Sequence, residues 1–166
     1  MTAPALLIFE THPIQYRAPV YQALEKQCPG QFEVVYASDF SVRGYQDAGF
    51  GTQLAWDTPL LAGYANRVLG NDAAGGTGRW GGFTGRGVAE LIRTHKPRAI
   101  LLHSFGYAFC WAAYWAALRY RIPIWIRMET QDEAVVRGRV KSLVRAMCYR
   151  AAYWGVRRAF YIGQLN

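Results

Sequence analysis

The chain opens with an apolar run, Ala5 to Phe9, which gives way at once to a polar, proline-containing stretch from Glu10 to Arg17. A helical pattern follows with Pro19 near its first turn, where the amide that proline lacks would have no partner, and Cys28-Pro29-Gly30 stops it. Phe32 to Ala37 resumes in β-branched and aromatic residues, so a first β-α-β unit is complete by residue 37. From Ser38 to about Arg86 the periodicity weakens, and eight glycines fall between Gly70 and Gly87. Irregular structure is expected there, interrupted at most by a short element near Gln53 to Ala55. So long a loop in a compact domain is a binding surface, a lid or a mere insertion. Patterning returns with a helix from about Gly87 to His95, in which Val88, Leu91 and Ile92 share a face and which Lys96-Pro97 ends. A strand over Ala99 to Leu102, a helix over Tyr107 to Tyr120 and a strand over Ile124 to Arg127 follow. After a polar loop come a helix over Arg139 to Trp154 and a strand over Ala159 to Ile162.

Consecutive parallel strands need crossover connections, so this alternation implies an α/β domain built on a parallel sheet with helices on both faces, a Rossmann-like fold over residues 1–166. In such sheets ligands bind outside the carboxyl ends of the strands. The loops that start at Glu10, His103 and Met128 should therefore line one crevice.

Composition narrows the class. With 166 residues, 52% of them hydrophobic and 18% charged, the chain has material for one core and is far from disordered composition. Three widely spaced cysteines, Cys28, Cys110 and Cys148, form no C-x-x-C pair, and residues 1–4 carry no basic leader region. A reducing, cytoplasmic setting is expected. Ala99 to Leu118 lacks Asp, Glu, Lys and Arg over about the length that a bilayer needs, but His103, Ser104 and Gly106 divide it into a strand and a helix. The formal charge of +8, mostly arginine and concentrated between Arg119 and Arg158, favours an anionic partner without choosing among phosphate-bearing substrates, anionic lipid and nucleic acid. No RNA- or DNA-binding motif accompanies it, so nucleic acid is not expected.

Gly76-Thr77-Gly78-Arg79-Trp80-Gly81 matches the dinucleotide fingerprint in letters only, because no apolar strand precedes it. No Walker string, H-E-x-x-H or G-x-S-x-G occurs. Candidate chemistry lies instead at three strand ends. Glu10-Thr11-His12-Pro13-Ile14-Gln15-Tyr16 is either a capped turn or, with an imidazole beside amide and phenol groups, a set suited to a polyol. His103 and Ser104 are either a core histidine and a helix cap or ligand contacts. Arg127 and Glu129, two apart on an extended chain, point to the same side and form either a surface ion pair or part of the crevice. On the helix from Arg139 to Trp154, Val140, Leu143, Val144, Met147, Ala151 and Trp154 share a face, expected to pack on the sheet. The arginines of that helix are left for a weak contact with lipid headgroups.

Thr11 to Tyr16 after the first strand and Trp56-Asp57-Thr58-Pro59-Leu60-Leu61-Ala62-Gly63-Tyr64 closely resemble bacterial glycosyltransferases of the GT-B, family 4 type. A strand ending near His103, an Arg-x-Glu-Ser/Thr segment at Arg127 to Thr130 and the ending Tyr161 to Asn166 keep that family's order, and the likeness spans nearly the whole chain. The resemblance implies a retaining transfer of a sugar from a nucleotide-sugar to a saccharide or lipid-linked acceptor, with no metal and no cofactor besides the donor. This chain would be the acceptor-side half, and the donor-binding C-terminal domain would be lacking. Carried over by position, His12, His103 and Glu129 would be catalytic, and Gln15, Tyr16, Ser104, Arg127 and Asp57 would bind substrate. Where many relatives have a glycine-rich turn after the first strand, this chain has Pro13 and Gln15, so backbone amides are not available there in the same way. Transfer must exclude water by closure of two domains, so the half by itself is expected to be inactive. The competing expectation is a Rossmann-like binding or scaffolding module without chemistry.

Overall fold

The computed structural model describes residues 4–42, 45–46, 53–54, 59–70, 80–128 and 139–161. In chain order they form β1 (Leu6–Glu10), α1 (Ala18–Gln27), β2 (Phe32–Tyr36), the short strands β3 (Tyr45–Gln46) and β4 (Gln53–Leu54), and β5 (Asn66–Val68). A 3-10 turn (Trp80–Gly82), α2 (Val88–His95), β6 (Ala99–Leu102), α3 (Ala108–Arg119), β7 (Ile124–Arg127), α4 (Arg139–Trp154) and β8 (Val156–Phe160) complete them. Six strands make one parallel sheet in the order β5-β2-β1-β6-β7-β8, and β3 and β4 pair separately as an antiparallel ribbon. This is the doubly wound, Rossmann-like order, in which the winding direction reverses between β1 and β6.

That reversal distributes the helices. Right-handed crossovers running one way from β1 and the other way from β6 must lie on opposite faces. Accordingly Ile8, Val34 and Tyr36 pack with Ala18 and Tyr21 of α1 and with Leu60 and Tyr64. On the other face Leu7, Phe9, Ile100, Leu102, Ile124 and Ile126 pack beneath residues of α2 and α3, including Ile92, Phe109 and Ala113. The charge-free run 99–118 is β6 followed by α3, and no helix among the described residues is long and apolar enough to cross a membrane.

Three elements differ from the sequence reading. β5 lies inside the segment of weak periodicity; Asn66-Arg67-Val68 holds one apolar residue, and its pairing comes from the sheet edge, where Val34 N–H donates to Ala65 O and Leu69 N–H to Tyr36 O. Arg67 Nε adds an ion pair to Glu33 at 2.7 Å. β8 starts at Val156, three residues earlier than the apolar letters indicate, because β7 continues the ladder and only Gly155 separates β8 from α4.

The third difference is a correction. The apolar face of α4 was expected against the sheet, but Leu143 is 63%, Met147 64% and Trp154 93% exposed. The inward position belongs to Ala152, whose carbonyl accepts a hydrogen bond from Tyr114 Oη at 2.9 Å. Phe105 meets Tyr114 of α3 and Tyr149 of α4 edge-on, each at 5.7 Å, so aromatic contacts and the Tyr114 hydrogen bond join α4 to α3 on this side. A Cβ on Gly155 would stand 2.4 Å from Tyr114 Oη, which holds the helix end in that rotation.

Gly85 marks another close approach, since a Cβ there would lie 2.1 Å from Ala112 Cβ. Gly85→Ala is expected to lower stability by about 1–3 kcal/mol as α3 is pushed off its seat. A urea midpoint unchanged from the parent would refute this.

Candidate functional site

Glu10 ends a strand whose neighbours on both sides are also strands, so its carboxylate cannot reach bulk water and must be matched inside the protein. The partner comes from the N-cap of α1. Arg17 Nη1 donates to both Glu10 oxygens at 2.5 Å, and Tyr21, one helical turn further, donates its hydroxyl to Glu10 Oε1. All three residues are buried. Pro13 and Ile14 bring the chain round to present Arg17: Arg17 N–H and Ala18 N–H both donate to Ile14 O.

His103, at the end of β6, completes the group across the switch point. Its Nε2 lies 3.4 Å from Tyr21 Oη and 3.5 Å from Glu10 Oε1. Since Tyr21 gives its proton to Glu10, its oxygen accepts from His103, and the network assigns the proton of the neutral ring to Nε2. The approach of Glu10 would by itself favour the imidazolium. Burial, with the positive charges of Arg17 and Arg127, outweighs it and holds the ring neutral far below the ordinary imidazole pKa, because Arg17 already neutralises that carboxylate. His103 Nδ1 is therefore a bare acceptor, and among the described residues it has no hydrogen-bond partner. Burial, and then Glu10, keeps Tyr21 protonated well above its usual range.

Glu10, Arg17 and His103 open onto a recess of about 80 Å³ at the carboxyl ends of β1 and β6. Glu10, Thr11, Arg17, His103, Ser104 and Tyr107 supply its polar lining, while Phe9, Ile14 and Cys110 close it with apolar surface. Burial drives the Cys110 thiol up to about 12, so it is a wall and not a nucleophile. The volume admits several waters or one hydroxylated end of a larger ligand. Among the described residues no three His, Cys, Asp or Glu side chains gather as metal ligands.

The candidates named from sequence fall into three groups. His103 and Ser104 line the recess, and Ser104 Oγ accepts from Gly106 N–H at 2.8 Å, so it shapes the loop and does not cap α3, whose N-cap is Tyr107. Arg127, half-buried at the end of the adjacent strand β7, acts on His103 through its charge. His12 is half-buried elsewhere: Thr11 Oγ1 lies 3.0 Å from its Nδ1, and its ring packs 4.6 Å from Phe40. Burial, aided by Arg17, lowers the His12 pKa to about 4. Gln15 and Tyr16 are exposed, the latter with Arg17 5.8 Å over its ring. Glu129, Asp57 and the glycine string 76–79 lie outside the described residues. Arg17 and Tyr21 were missed as site residues. A carboxylate at the end of an apolar central strand requires a buried partner, and Arg17 is the first cation the chain supplies, but no letter marks Tyr21 or the inward turn of either side chain. The chain matches no protein-family model, and no curated protein or solved structure is significantly similar to it.

Proposed function

We propose that the recess between β1 and β6 is the acceptor-side wall of a glycosyl-transfer cleft, taking one hydroxylated end of a saccharide or lipid-linked saccharide while a nucleotide-sugar is held by a second domain. The observation that carries this reading is the neutral His103, whose buried Nδ1 is an unfilled acceptor beside the buried Glu10–Arg17 ion pair. A sugar hydroxyl donates to such a nitrogen, which would orient the hydroxyl within the recess. Thr11 and Ser104 hydroxyls and the Tyr107 phenol supply groups that orient the remaining oxygens. Arg127 at the next strand end adds positive charge on the side where donor phosphates would approach. Glu10, Arg17 and Tyr21 are positioning residues, because their hydrogen bonds fix the His103 tautomer.

The recess is far smaller than a complete ligand site, which agrees with one wall of a cleft closed by another body. The test is a titration of the isotope-labelled chain with a panel of oligosaccharides and, separately, nucleotide-sugars, followed by amide NMR. Oligosaccharide is expected to shift Thr11, His103 and Ser104, and His103→Phe should weaken that binding about tenfold through loss of one buried hydrogen bond. Shifts confined to other loops, or an affinity indifferent to His103→Phe, would refute the assignment.

A further inference from the structure

We draw no further inference here: the strongest candidate, the apolar face of α4 on which Leu143, Met147 and Trp154 stand exposed, carries nothing because nothing in the structure shows what covers it.

Discussion

Arg17→Met is expected to lower the free energy of unfolding by about 3–5 kcal/mol, because it leaves the Glu10 carboxylate buried in the switch point without its cation. The pair itself is not the source of that figure. Desolvating both charges costs nearly what their attraction returns, so Glu10→Gln combined with Arg17→Met should recover much of the loss. Tyr21, which donates to Glu10, keeps an acceptor in the glutamine. The measurement is urea unfolding of the two single variants and the double, with the coupling read from the cycle. If Arg17→Met costs no more than an exposed arginine does, the carboxylate has reached water and the buried network described above does not exist.

Acid is the second large lever. His12, ordinarily near 6.5, titrates at about 4 in the folded protein, so between those values the unfolded chain takes up a proton that the folded one refuses. Stability is therefore complete above about pH 6.5 and is lost as pH falls toward 4, by on the order of 3 kcal/mol for this group. His103 acts in the same direction, its neutral form being held by burial and by Arg17 and Arg127. Urea unfolding followed from neutral pH into that window should show the decline, and His12→Asn should lessen it, leaving the part due to His103. A stability independent of pH down to 4, or an equal slope in His12→Asn, would contradict the burial of the ring beside Phe40.

The two predictions divide along the line between what was legible in the letters and what was not. Most of the sheet was legible: β1, β6 and β7 are largely apolar runs and β2 is one interrupted at Glu33, each bounded by turn residues, as strands covered on both faces tend to be. β5 was not, because an edge strand of three residues takes its hydrogen bonds from Val34 and Tyr36 and needs no pattern of its own. The site was half legible. His103 and Ser104 follow from the rule that loops at the carboxyl ends of parallel strands face the ligand. Arg17 caps α1 and Tyr21 lies in its first turn, and nothing local says that they turn toward Glu10 and away from solvent. Gln15 and Tyr16, equally polar and nearer to the strand end, are exposed.

The order of apolar runs and turns determined the layered α/β architecture, since hydrophobic periodicity and the need for crossovers are properties of the chain itself. Rotation about an axis is not such a property. Whether α4 turned Leu143 or Ala152 inward depended on its contacts with Phe105 and Tyr114, and which polar groups met at the switch point depended on α1 crossing beside β1. Local spacing states which residues share a face; only packing against the rest of the molecule selects the face that is buried.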